Sequence, residues 1–590
     1  MRHGHTGVAF KVVGALAYIG LGMTAEAEPQ KADTGPVQAA GYRVVMERLG
    51  ELAADQSRQS AQTSSGDGCH AAYAENRTEG NRLRWFVVVD GVKGPEYDGV
   101  DTWTLAMTPN GKGLAYKAQK DRTWRMVHNG LEGPVYDHIG RLLFSPDGGH
   151  LAYVAGKADK RFVALDGKEG APYDHIVKLV FSPDGNRLAY VAQTGSQWVV
   201  VVDGQDGPGY DRIDTLVFSP DGRHLVYVAQ RGKTQVAVTD RKEGLPYDSV
   251  GRVLFSDDGN RLAYVAQKGD RQLVVVDGHE DPAYDAISSS GLLFSPDGGH
   301  LAYVASKGNR QLISIDGRQG PEYDGIVEGA VVFSRDGTHL AYAARKADKW
   351  VVVRDGQEGP KYDDVRSPIF NRDGNRLAYV ARKGDRWLLV ADGQEGRTYE
   401  GITEGLPTFS PDGSRVAYVA QKGDKQLMVV DGQEGPTYDY IAQGPRFSPD
   451  GRRMAYVALK GSKRVAVVDG REGPGYDEVP VSTLVFSPDG RRLAYLAWRG
   501  GKRIAVVDGR EGPGYDEAYA LGPTFTPDGR HLVYRAQRNG KDLVVLDGEE
   551  GPQFDRIVKN GPTFRDAGDL EYLAYKDATL YRVRHIIEQK

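Results

Sequence analysis

The stretch "FSPDGNRLAYVAQ" at residues 181–193 returns as "FSPDGRHLVYVAQ" at 218–230 and as "FSPDGSRVAYVAQ" at 409–421. A sentence repeated this closely is architecture before it is a site. Anchored on the Asp of its "PDG" turn, the repeat falls at Asp147, Asp184, Asp221, Asp258, Asp297, Asp336, Asp373, Asp412, Asp450, Asp489 and Asp528, 37 to 39 residues apart. Asn110 of "TPNG" extends the series upstream, and Asp67 and Asp569 supply two degenerate members, for fourteen units. A tyrosine six residues after each anchor, from Tyr73 to Tyr575, fills all fourteen positions in this register. The spacing from anchor to the "YD" pair is fixed at 26 residues in most units, whereas the 11 to 13 residues from there to the next anchor vary. The slack is assigned to a surface connection between units.

One unit reads as four short strands. In the unit of Asp258, "GRVLF" precedes the "SDDG" turn, "RLAYVAQ" follows it, "KGDRQ" turns again, "LVVVDG" is a β-branched run, and "AYDAI" is a short last strand. No segment carries a helical period over ten residues. Four-stranded repeats stack around an axis as propeller blades, since one blade cannot bury both its faces alone. The chain is therefore expected to be all-β, a set of tandem β-propellers. Typical propellers hold about four to eight blades. Fourteen units then divide best into two seven-bladed rings, 63–328 and 329–590, with six plus eight as the other division. Ring closure is expected to mix strands from the two chain ends.

With the motif in view, the chain resembles the WD40-like PD40 repeat family, the TolB-type β-propeller repeat, over residues 63–584. The resemblance implies the fold; for function it implies little. The α/β domain that precedes the propeller in TolB-type proteins has no room in 28–62, so their partnership does not carry over. The repeat is also similar to propellers attached to prolyl-oligopeptidase-type hydrolases, but this chain has no Gly-x-Ser-x-Gly elbow.

The chain of 590 residues has 76 glycines, one cysteine, Cys69, and a formal charge of −5. One cysteine excludes an intrachain disulfide, and so small a charge gives no case for nucleic acid. At the N-terminus, Arg2 and Lys11 precede an apolar run from Val12 to Met23 and an "Ala25-Glu26-Ala27" cleavage pattern. That reads as a secretory signal peptide over 1–27, cleaved near Ala27, leaving no membrane span in the mature chain and a periplasmic or secreted location. Residues 28–62 read as a leader, with Val45, Leu49 and Leu52 spaced for one face of a short helix.

Chemistry is sparse in the text. The "PDG" aspartates are turn formers. His70, His150, His224, His300, His339 and His531 share a slot that other units fill with Arg or Lys, which reads as a solvated strand start. No zinc, EF-hand or phosphate-loop spacing occurs, so no metal or cofactor is expected. Tryptophan is the informative residue. Trp85, Trp124, Trp198, Trp350 and Trp387 occupy one slot at the start of the third strand, where other units place Arg161, Gln235, Gln272, Gln311, Gln426, Arg464, Arg503 and Asp542. The slot reads as packing between blades or as a stacking surface for a partner or glycan. The third turn is acidic, as at Glu395, Glu434 and Glu472, and the second turn basic, as at Lys383, Lys422 and Lys460. On opposite faces these would set up opposed fields, with the basic, Trp-bearing face as the docking face.

The function expected is an exported, non-catalytic propeller scaffold that binds a protein or cell-envelope component. A hydrolase or lyase with its site in a central channel, and a carbohydrate-binding module, are the alternatives.

Overall fold

The computed structural model describes residues 37–39, 42–51, 62–64 and 70–587, save short stretches at 81, 289, 367, 404–406, 519–521, 559–561 and 566–568. The signal-peptide reading of 1–27 and Cys69 lie outside these residues. Fourteen antiparallel sheets follow one another along the chain, each with four principal strands, as blades of a β-propeller. Among the described residues no helix is long and apolar enough to cross a membrane.

Blade 4 shows the plan: His175–Phe181, Leu188–Thr194, Gln197–Val202 and Gln205–Tyr210, paired in that order. The third hairpin turn is the Asp-Gly pair, with Asp203 at φ 52° and Gly204 at φ 76°. Two successive left-handed residues match the twist of the flanking strands, which is why Asp-Gly recurs there. In the Pro-Asp-Gly turn the Asp184 carboxylate accepts from the Ser182 hydroxyl and from the Asn186 N–H. The aspartates of this turn are structural, as the sequence suggested.

The glycine after each such aspartate has a second duty. A Cβ on Gly222 would lie 2.7 Å from Asp184 Oδ1, and one on Gly259 would lie 2.5 Å from Asp221 Oδ1. From Gly148 to Gly490 successive turns are stacked too closely for a side chain, whereas at Gly529 the nearest atom lies 3.4 Å away.

The core lies between blades. In blade 7, Leu301, Tyr303 and Ala305 pack against blade 6, and the intervening Ala302 and Val304 pack against blade 8. Both faces of a blade are buried, so its strands read as unbroken apolar runs. The tyrosine that ends one blade meets the tyrosine of the next blade's second strand edge-to-face. Tyr210–Tyr227 at 6.0 Å and Tyr323–Tyr342 at 6.1 Å are examples. Such a pair adds about 1 kcal/mol beyond its buried area. The hydroxyl of the first tyrosine then donates to the acidic residue after the next blade's third hairpin turn, as Tyr210 does to Glu243 at 2.7 Å.

Four readings of the sequence change. First, the division into two rings of seven is not reproduced. Blades 7 and 8 share a core cluster of the same kind as every other pair of neighbours, and Glu328–Ala330 is a short 3-10 turn inside blade 8. Blade 14 turns Leu573 and Tyr575 toward Ala71 of blade 1, so all fourteen blades form one ring. Repeat count alone carries no curvature, and the ring size is set by the small tilt between neighbours.

Second, 42–51 is not helical. Tyr42–Glu51 is a strand paired with the last strand, Thr579–Ile587, and Val37–Ala39 pairs outside it. Its apolar spacing satisfied a helix period, but the unpaired edge of the last blade offers ladder bonds and a place to bury Tyr42 and Val44. The expected mixing of chain ends is thereby realised.

Third, "AYDAI" is not one strand. Tyr284 bridges Gln272 in its own blade, whereas Ala286–Ile287 pairs with blade 7. The variable length sits in a bulge of the first strand rather than in a loop between blades, because a bulge absorbs extra residues without disturbing its partner.

Fourth, the tyrosine column ends at Tyr572, which meets Phe554 at 6.0 Å. Asp569 instead accepts from the Ile587 N–H. The last turn is one residue shorter, and the register from Asp569 to Tyr575 was coincidental.

Candidate functional site

Third-strand positions two residues after the second turn meet the first strand of the following blade. Gln235 Oε1 accepts the Val250 N–H at 2.8 Å, and Gln272, Gln311 and Gln426 repeat this with Ile287, Ile326 and Ile441. Buried Asp542 does the same with Ile557. Arg464 in this slot bonds Glu478 at 2.8 Å, and Arg503 approaches Glu517 at 3.8 Å. The slot is therefore a seam residue, satisfying or covering the entry of the next blade.

All five slot tryptophans, Trp85, Trp124, Trp198, Trp350 and Trp387, are half-buried against clusters between blades. They are brought to equivalent places on the seams that follow blades 1, 2, 4, 8 and 9, but not to one another. Cations cover some of the exposed ring surface: Arg366 stands 4.2 Å from the Trp387 ring and Lys117 5.9 Å from that of Trp124. Trp103 lies outside the slot and was not among the candidate residues. It rides on the bulged first strand of blade 2 and is 96% exposed. Its signal was available, as a tryptophan outside the slot within the segment of variable length.

The expected separation of charge onto opposed faces does not occur. Lys383 bonds Glu395 at 2.6 Å, Lys422 bonds Glu434 at 3.0 Å and Lys460 bonds Glu472 at 2.8 Å, each inside its blade. Lys383, with Tyr362 as a further donor, holds the Glu395 carboxyl below its ordinary range. Long lysine side chains lie along the blade surface and reach the acid from the far end of the hairpin. In blade 13 the acid so used is Glu550, bound by Arg538 and Tyr515, rather than its neighbour Glu549.

The histidine slot is also more specific than a solvated strand start. His150, His224, His300 and His339 place Nδ1 2.6–2.8 Å from Asp166, Asp240, Asp316 and Asp355, the first residues of the third hairpin turns. Where arginine replaces histidine it bonds the same aspartate and reaches on. Arg492 contacts Asp508 and donates to the Arg530 carbonyl of the next turn. Among the described residues no group of three or more His, Cys, Asp or Glu is placed to hold a metal ion.

What remains unrepeated is the first-strand bulge. Its sequence runs through Gly-Arg-Leu, Val-Lys-Leu, Asp-Thr-Leu, Ser-Ser-Ser-Gly and Pro-Val-Ser-Thr in different blades, while the strands around it hardly change. With the slot residues beside them, these bulges form a row of individual surfaces on a constant frame.

No protein-family model and no curated protein matches the chain. Among solved structures, similarity extends to TolB from Acinetobacter baumannii, at 14% identity over 49% of this chain and 80% of that one, TM-score 0.20. The Dos1 propeller matches at 11% identity over 50% and 92%, TM-score 0.23. The GH74 enzyme of Niastella koreensis matches at 12% identity over 91% and 99%, TM-score 0.21. These likenesses carry no argument about activity.

Proposed function

We propose that this protein is an exported, non-catalytic propeller scaffold, built from PD40-type repeats, that binds a protein or cell-envelope component along its row of first-strand bulges and seam tryptophans. The observation that carries the reading is the division of labour within the repeat. The recurring Asp, Glu, His and Tyr side chains are consumed in turns and blade boundaries, as in Ser182–Asp184, His150–Asp166 and Tyr210–Glu243. Variation is concentrated in the bulges, where Trp103 stands exposed, and in the slot residues beside them. A constant frame with a variable row is how repeat proteins present extended binding surfaces. Trp and Arg together, as at Trp387 and Arg366, are the residues enriched at binding hot spots. The N-terminal 1–27 segment supports export, with cleavage near Ala27.

The test is capture from an envelope fraction by the mature chain, followed by quantitative binding of the captured component. Trp103→Ala and the Trp350→Ala, Trp387→Ala pair are expected to weaken binding tenfold or more. Leu131→Ser, on the Asn-Gly hairpin of blade 2 and 77% exposed, is expected to leave it unchanged. Undiminished binding in the tryptophan variants, or a loss in the Leu131 variant as large as theirs, would refute the proposed surface.

A further inference from the structure

Blades 3 and 4 break the seam pattern in three ways at one place. Arg161 occupies the slot in blade 3. In the two other arginine blades the residue after "YD" is a glutamate, Glu478 or Glu517, which pairs with the slot arginine. After Tyr173-Asp174 it is His175. Arg161 therefore has no carboxylate partner among the described residues. The nearby Asp174 is taken by Lys160, and Asp137 accepts the Ala158 N–H.

The second departure is Gly156. Other blades place Gln230, Gln267 or Arg382 there, each folding back onto the second turn. A Cβ on Gly156 would lie 2.5 Å from His138 Nδ1 and 2.8 Å from Arg161 Nη1. The missing side chain is what admits both groups. The third is Lys178, with φ 52°. It is the one non-glycine residue with positive φ outside the second and third hairpin turns among the described residues. A lysine held in the left-handed region costs conformational energy that packing must offset, and such outliers gather at sites that use them.

Arg161 and Lys178 line one cavity of about 470 Å³ between the first strands of the two blades. Arg141, Arg161, Lys178, His138 and His175 supply its polar wall, without one acidic lining residue, and aliphatic side chains such as Val154 and Ile176 supply the rest. The volume lies in the range of small-molecule sites. Elsewhere in the ring the corresponding arginines are neutralised. A half-buried guanidinium whose one acceptor is the Lys160 carbonyl at 3.4 Å, beside two further cations, calls for a counter-charge, and its fork fits a carboxylate or phosphate through two parallel bonds.

We infer that the cavity between blades 3 and 4 binds a small organic anion, its carboxylate or phosphate group held by Arg161 with Arg141 and Lys178. The site shares the seam with the docking surface proposed above but does not depend on a macromolecular partner. Its test uses the purified chain alone.

Calorimetric titration at low salt with citrate, inorganic phosphate and neutral glucose separates the sources. Saturable binding of citrate alone identifies a carboxylate ligand, and of phosphate alone a phosphate ligand; glucose is expected to give no heat. His175→Glu installs the carboxylate that the other arginine blades carry. It is expected to weaken anion binding tenfold or more while leaving the melting temperature unchanged or raised. Arg161→Gln, a residue native to the slot in four blades, is expected to do the same. No saturable binding of either anion at about 10 mM, far above ordinary metabolite-site affinities, would overturn the inference. So would equal binding of glucose, or affinity unchanged in both variants.

Discussion

The guanidinium of Arg582, on the last strand of the chain, lies 3.0 Å from the carboxylate of Asp90 in the first blade. The same arginine reaches Glu47 at 3.0 Å, on the N-terminal strand paired beside it. One side chain thus joins the three segments that must meet for the ring to close.

Arg582 is 13% exposed and Asp90 19%, so removing the cation leaves an under-compensated acid at the closure. Arg582→Ala is expected to cost about 2 kcal/mol. Hydrogen exchange across 42–51 is expected to speed up before that of blades 5 to 9, since the closure is the one boundary not tied by chain continuity. Uniform acceleration around the ring would contradict this.

Closure is also expected to respond to pH through His585. This ring stacks on Tyr42 at 5.2 Å, accepts or donates to Tyr572 at 3.1 Å, and is held to about pKa 4 by burial. The folded value is below the unfolded 6.5, so the neutral form is favoured by folding. The associated stability is full above about pH 6.5 and is lost progressively as pH falls toward 4, by up to about 3 kcal/mol. Melting curves between pH 7 and 5 are expected to decline in the wild type and to flatten in His585→Phe.

Below that window the carboxylates take over. Hydroxyl and backbone donors hold the Pro-Asp-Gly aspartates, such as Asp184, below their usual range, and the Lys422 and Tyr399 donors do the same for Glu434. A lowered carboxylate pKa contributes stability above its unfolded value of about 4 and loses it as pH falls through the folded one. A second, steeper loss of melting temperature is therefore expected below about pH 4 in the His585→Phe variant as well.

Two glycines of the same backbone class separate conformation from close approach. Gly356 has φ +78° with nothing within 4 Å of an added Cβ, whereas Gly337 has φ +77° with Asp297 Oδ1 at 2.1 Å. Gly356→Ala is expected to cost about 1 kcal/mol, the price of the left-handed region alone. Gly337→Ala is expected to cost about 1–3 kcal/mol more, since the neighbouring turn must shift. Equal melting temperatures for the two variants would show that the turns are not tightly stacked.

A chain cut at residue 328 tests the single ring. It would uncover Val304, Ile313 and Tyr323 at one end and the blade 1 face of Ala71 at the other. The fragment 63–328 is expected to self-associate in size-exclusion chromatography, and a cooperative monomer would instead indicate a ring of seven.

The sequence by itself determined the blade. The apolar runs, the Asp-Gly and Pro-Asp-Gly turns and the tyrosine columns are local or nearest-neighbour signals, repeated often enough to read the blade, though not the register of the last unit or the split of the "YD" segment between two blades. It also showed correctly that the repeated aspartates are structural. Only the tertiary structure decided what depends on relations between distant segments. The strand at 42–51 has apolar spacing compatible with a helix, and the open edge 535 residues away, where Arg582 meets Glu47, makes it a strand. Lys422 and Glu434 look like charges on opposite turns until the lysine's reach brings them together. Arg161 reads as one more slot residue until the fold sets it beside His175 instead of a glutamate and above the space left by Gly156. Periodicity reports what each unit shares, whereas ring size, closure and the unneutralised seam at Arg161 follow from tilt, chain ends and single departures from the repeat, which only three-dimensional packing weighs against each other.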